Sequence, residues 1–150
     1  IIVYSQTGNT LSVAEKLKKA LEADGHTVNI ERVEIQGDST GSPAPVKLES
    51  APDITPYDFV VFASPVHAFS LAPAMKTYLS QVSNLTGKKV CCFVTQHMKK
   101  AWMGGNNAVR QIKTICKTKG ADIIASGVVN WSGNTRSEQI DDIIERFCQI

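Results

Sequence analysis

Apolar runs short enough to be strands alternate with amphipathic stretches long enough to be helices, from one end of this chain to the other. Strands separated by helices pair in parallel through right-handed crossovers, so the rhythm predicts an α/β fold. The first run, Ile1–Ser5, leads into a helix over 10–24 with Leu11, Ala14, Leu17 and Leu21 on one stripe and Gly25 at its end. Thr27–Val33 alternates in period two and reads as an edge strand with one wetter face. Phe59–Ala63 and Val90–Thr95 are continuously apolar, the pattern of strands covered on both faces. Between them Pro73 opens a helix whose Ala72, Met75, Leu79 and Val82 keep helical spacing. Ala108, Ile112, Ile115 and Lys119 mark the next helix, which ends at Gly120. Ile123–Trp131 is a fifth strand, and Ile140, Ile143, Ile144, Phe147 and Cys148 form the apolar face of a last helix.

Residues 34–56 break the rhythm. Gly37, Gly41, Pro43, Pro45, Pro52 and Pro56 interrupt them, so a long loop is expected where a helix between the second and third strands would otherwise lie. Such a loop either covers the sheet edge or joins a homodimer interface, and both remain open. At 150 residues the chain suits one domain, 1–150, with a core that needs no staples.

Cys91, Cys92, Cys116 and Cys148 form no CxxC pair. Cys91 and Cys92 fall inside an apolar strand, so buried reduced thiols on opposite faces are expected. No apolar run approaches the ~20 residues of a membrane span. No secretory signal precedes the first strand, so the expected location is cytoplasmic, with no membrane partner. Net charge is +2, with basic residues spread along the chain apart from pairs such as Lys18-Lys19 and Lys99-Lys100. A nucleic-acid partner wants a concentrated basic stripe and is not expected. His26, His67 and His97 make no spaced ligand set, so no metal is expected either.

The chemistry concentrates where the first strand meets the first helix, at Ser5-Gln6-Thr7-Gly8-Asn9-Thr10. A helix start offers unpaired N–H groups and a positive dipole end. Ser5, Thr7 and Thr10 add hydroxyls, Asn9 an amide, and Gly8 a tight turn. The loop has no Lys and no Walker pattern, so it suits a monophosphate held statically rather than a phosphoryl group in transfer. It resembles the phosphate-binding loop of flavodoxins and related flavin reductases, Ser/Thr-x-Thr-Gly-Asn-Thr, at every position. That resemblance implies a flavodoxin-like, doubly wound, five-stranded parallel sheet of order 2-1-3-4-5 with helices on both faces. It implies FMN at the switch point between the first and third strands.

The resemblance also assigns two further loops. Pro65, Val66, His67, Ala68 and Phe69 take the position of the loop that walls the isoalloxazine ring, though Phe69 also reads as a core aromatic and His67 as a solvent-facing one. Thr95, Gln96, His97, Trp102, Gly104 and Gly105 belong to the third flavin loop, where Gly104-Gly105 is similar to a His-Gly-Gly element of quinone reductases. Many flavodoxins carry an acidic third loop; here it holds Lys99 and Lys100 and no acid.

No side chain is expected to act as acid or base, because the flavin carries the chemistry. The first functional expectation is an FMN-dependent oxidoreductase passing electrons from NAD(P)H, or a reduced protein, to a flavin or quinone. The alternative is a flavodoxin-type electron carrier without its own substrate. A third reading is an interaction domain that has kept the fold without redox turnover.

Overall fold

The computed structural model describes residues 1–37 and 46–150. Gly41, Pro43 and Pro45 of the expected loop lie outside the described residues. The central sheet runs β2 (Glu31–Arg32), β1 (Ile2–Val3), β5 (Phe59–His67), β7 (Lys89–Gln96) and β8 (Asp122–Asn130), all parallel. This is the order 2-1-3-4-5 of the five sequence-derived strands.

Period two along the strands sorts the core into two layers. Ile2, Phe62, Cys92 and Val94 face one cluster, and Val3, Val61, Cys91 and Phe93 face the other. Helices α2 (Pro73–Gln81) and α3 (Gly105–Thr118) close the first through Met75, Leu79, Ala108 and Ile112. Helices α1 (Asn9–Ala23) and α4 (Arg136–Phe147) close the second through Val13, Leu17, Ile143 and Phe147. Cys91, Cys92 and Cys116 are buried free thiols, and Cys148 is half-buried.

Three elements depart from the sequence reading. The edge strand expected over Thr27–Val33 is only Glu31–Arg32, because β1 beside it is itself short: its ladder pairs only Ile2 with Glu31 and Val3 with Arg32, and ends at the bond from Val33 N–H to the Val3 carbonyl (2.9 Å). Within 34–56, β3 (Glu34–Ile35) pairs antiparallel with β4 (Leu48–Ser50), so this segment is not wholly irregular. Ile35, Val46 and Leu48 pack on the α2/α3 layer, so the segment does cover part of the core. The loop expected after Ala63 is instead strand. β5 continues to His67 and turns back into β6 (Ser70–Leu71).

Pro65 survives inside β5 for a local reason. The Ala63 carbonyl accepts a bond from Tyr4 N (3.0 Å), so Ala63 and, two residues on, Pro65 turn their polar groups toward β1. β1 has ended by then, so no ladder bond is lost where proline lacks its N–H.

Candidate functional site: the crevice at the strand ends

Three connections meet at the C-terminal ends of β1, β5 and β7, where the strand order reverses. The first is Ser5–Thr10. Gly8 stands at φ 93°, a left-handed conformation that glycine takes without strain, and caps α1 with no side chain. Leu11 N–H donates to Ser5 Oγ (3.2 Å) and Ser12 N–H to the Gly8 carbonyl (3.0 Å). The N–H groups of Gln6 through Thr10 have no acceptor among the described residues, nor do the side chains of Thr7 and Asn9. A row of free donors at a positive helix end is an anion cradle.

Thr10 does something different from the rest of the loop. Its buried hydroxyl lies 2.7 Å from the hydroxyl of Thr95, at the end of β7. Arg32, at the end of β2, donates to the Ser5 carbonyl (3.3 Å) and helps line a cavity of about 300 Å³ beside the loop. Sequence reasoning missed Arg32, because only the strand order brings β2 alongside the phosphate loop. Larger cavities of about 450 Å³ open at the opposite end of the sheet and do not reach the crevice.

The second connection is a hairpin with Ala68 and Phe69 as its two-residue turn, since His67 pairs with Ser70. Both turn residues have positive φ, 49° and 62°, the signature of a type I′ turn that usually takes Asn-Gly. Gln111 Oε1 accepts from Leu71 N–H (2.8 Å) and Ser70 Oγ (2.9 Å), and Asn107 Nδ2 donates to the Phe69 carbonyl (3.2 Å). These bonds hold the turn to α3. Phe69 is 60% exposed, which removes the core-aromatic reading. His67 is half-buried with Tyr4 edge-on to its ring at 6.2 Å, and burial lowers its pKa. Pro65 and Val66 are half-buried and Ala68 is exposed.

The third connection runs from Gln96 to Gly105. Gly104 takes φ 116°, and a Cβ there would stand 2.7 Å from Phe69 Cα, so this glycine lets the second and third connections touch. A Cβ on Gly105 would meet Val128 Cγ1 at 2.6 Å. His97 is exposed and Trp102 is 74% exposed, beside the turn that carries Phe69 only through Gly104. Gln96 is buried: its Nε2 donates to Asn130 Oδ1 (2.6 Å) and the Lys100 carbonyl (2.7 Å). Its Oε1 has no partner among the described residues, and it faces Gly105. A buried acceptor left unpaired costs about 1–3 kcal/mol.

The crevice thus has an anion cradle at one end and two exposed aromatics on the connections beside it. Those features fit a flat ring with a phosphate on a tether, which is the chemistry of FMN. The fold and this crevice define a doubly wound α/β protein with an anion cradle at the strand ends. The chain belongs to the flavodoxin family, which matches over residues 1–144, and flavodoxins are FMN-binding electron-transfer proteins.

Solved structures agree on the fold. Flavodoxin 2 from Bacillus cereus, in oxidised form, superposes with a TM-score of 0.72 at 22% identity, covering 99% of this chain and 96% of that one. Two-electron reduced Megasphaera elsdenii flavodoxin gives 0.72 at 18% identity, covering 99% and 97%. A Lactobacillus acidophilus flavoprotein in complex with FMN gives 0.63 at 18%, covering 94% of each chain. No curated protein sequence matches the chain. No helix among the described residues is long and apolar enough to cross a membrane.

Proposed function

We propose that this chain is an FMN-binding electron carrier that exchanges electrons with redox-protein partners. Of the two redox readings left by the sequence, family membership backs the carrier rather than the NAD(P)H-dependent oxidoreductase. The observation that carries the proposal is the row of unpaired N–H groups from Gln6 to Thr10 at the start of α1, with the Thr7 hydroxyl and Asn9 amide beside it. Bound FMN supplies reversible one- and two-electron redox chemistry.

The residues of this chain bind and orient. Ser5 Oγ ties down Leu11 N–H and so shapes the cradle, while Gln6–Asn9 hold the phosphate through backbone donors. Phe69 and Trp102 supply apolar area against the ring, Pro65, Val66, His67 and Ala68 form the wall behind Phe69, and Gly104 and Gly105 let backbone approach closely. Thr95 fixes Thr10, and Gln96 ties the third connection to β8 through the Lys100 carbonyl and Asn130. Reduced free thiols and a cytoplasmic setting accompany this reading.

The test is an absorption titration with FMN and with riboflavin, followed by NADH and NADPH in air. The proposal expects FMN to bind with red-shifted bands and riboflavin to bind at least roughly tenfold more weakly. It expects neither nicotinamide to bleach the bands. No FMN uptake overturns it. Rapid bleaching by a nicotinamide returns the chain to the oxidoreductase reading.

A further inference from the structure

The charges of this chain are segregated, although their numbers nearly balance. Of the sixteen Lys and Arg, nine fall between Phe59 and Ala121, and none of the fourteen Asp and Glu does. That segment builds β5, β6, α2, β7 and α3. The acids that flank it, Asp58 and Asp122, stand at the starts of β5 and β8, the end of the sheet away from the crevice. Glu138 and Asp141 ride on α4, across the sheet from α3, and Asp142 there is neutralised by Arg146 (2.9 Å), which reaches the Ser126 carbonyl (2.8 Å) at the β8 rim of the groove between α3 and β8. Lys88 and Lys119 are tied to backbone carbonyls at the far end.

Of the other basic residues, Lys99 and Lys100 lie in the third connection of the crevice, and Arg110 and Lys113 follow on α3. None makes an ion pair among the described residues. Arg110 and Lys113, one turn apart on α3, line a groove of about 470 Å³ with Ala101 and with Val128 of the edge strand β8. Val109 adds to its apolar floor, and exposed Trp102 stands next to Ala101. The groove is therefore continuous with the third connection of the crevice.

We infer that this basic face, Lys99, Lys100, Arg110 and Lys113 around the α3/β8 groove, docks an acidic surface of a redox-protein partner. The inference rests on the carrier reading above and names the class of partner. Opposite charges steer encounter and fix orientation, and uniformly basic side chains reject a basic partner. Apolar Val109, Val128 and Trp102 give a protein surface something to bury that a phosphate backbone lacks. A partner seated here lies beside Trp102 and Gly104, hence beside the cofactor.

The experiment measures complex formation by isothermal calorimetry, with FMN-loaded protein and, in parallel, with the protein before FMN is added. The probe is cytochrome b5, an acidic haem protein; cytochrome c, a basic one, is the counter-probe. The expected result is binding to cytochrome b5 that weakens roughly tenfold or more between about 20 and 300 mM salt, with none to cytochrome c. Lys99→Glu/Lys100→Glu and Arg110→Glu/Lys113→Glu should each weaken it roughly tenfold, and Lys16→Glu/Lys19→Glu on α1 much less. Equal loss in the α1 variant would make net charge, not this face, responsible and overturn the inference. So would absence of cytochrome b5 binding to FMN-loaded protein. Equally tight, salt-sensitive binding to a DNA duplex or to phosphatidylglycerol vesicles would also overturn it, leaving a general polyanion surface. Failure of FMN uptake strikes the carrier reading instead, and the unloaded arm still reports on docking.

Discussion

The hydroxyls of Thr10 and Thr95 lie 2.7 Å apart, buried, across 85 positions of sequence. This bond joins the first turn of α1 to the end of β7, so it fixes the phosphate loop against the strand that leads into the third connection. Removing one hydroxyl leaves the other buried and unpaired, at a cost of about 1–3 kcal/mol, whereas removing both can be close to neutral. Thr10→Val and Thr95→Val should each lower stability by that amount, and the double variant should recover most of it. Urea unfolding of the four proteins in a double-mutant cycle measures the coupling. Additive losses would show that the two hydroxyls act independently.

Gly104 answers to a different constraint. A Cβ at its φ of 116° is strained, and it would also stand 2.7 Å from Phe69 Cα. Gly8 is strained in the same way at φ 93°, but nothing lies within 4 Å of its Cβ. Gly104→Ala should therefore cost more than Gly8→Ala, about 3 kcal/mol against about 1–2 kcal/mol. Thermal unfolding without FMN compares them. A smaller loss at Gly104 would mean that the turn shifts freely.

These two cases show what a sequence reveals about such a site and what it hides. The phosphate loop was legible because its donors are consecutive residues at a helix start, a local arrangement. The extension of β5 through Pro65 to a hairpin was not, because Ala68-Phe69 lacks the Asn-Gly signal of its turn. The β3–β4 pair was masked by the glycines and prolines around it. Arg32 and the partnership of Thr10 with Thr95 depend on which strands and helices become neighbours, and no local pattern carries that. The charge segregation is written in the chain, yet it becomes a face only once α2 and α3 are known to share one side of the sheet.

The turn at Ala68-Phe69 holds two residues with side chains at positive φ, a conformation that costs about 1 kcal/mol or more per residue. Phe69→Gly should relieve that strain and stabilise the FMN-free protein by up to about 1 kcal/mol. The same change deletes an exposed aromatic from the crevice, so FMN binding should weaken by roughly tenfold. Denaturation and flavin titration on one variant read both effects. Loss of stability, or unchanged FMN affinity, would separate the strain from the site.

His67 gives the site a pH dependence. Burial penalises the imidazolium and lowers its pKa from the ordinary 6.5. The folded chain then binds fewer protons here than the unfolded chain, so stability rises with pH across this range. The contribution is constant above about pH 6.5, where both forms are neutral, and is lost progressively as pH falls toward the lowered value. His67→Gln should flatten this limb while leaving the slope above pH 7 unchanged. Stability against pH from 5 to 8, compared between wild type and variant, checks the sign.

The outer edge of β8 is guarded by α4. Its register turns Ser126, Val128 and Asn130 outward, since Trp131 N–H donates inward to the Gln96 carbonyl (2.7 Å). Arg146 donates to the Ser126 carbonyl (2.8 Å), and Gln139 Oε1 accepts from Asn130 N–H (2.8 Å). The middle and the C-terminal end of the exposed edge are thus each capped by a side chain, which removes pairing groups that a second strand would use. Asp142 holds Arg146 in place through a 2.9 Å ion pair. Gln139→Ala/Arg146→Ala should uncover both positions and raise self-association by strand addition, while each single variant leaves one cap. Sedimentation velocity at rising concentration measures it; a double variant that stays as monodisperse as the parent would show that Val128 and its neighbours do not template pairing.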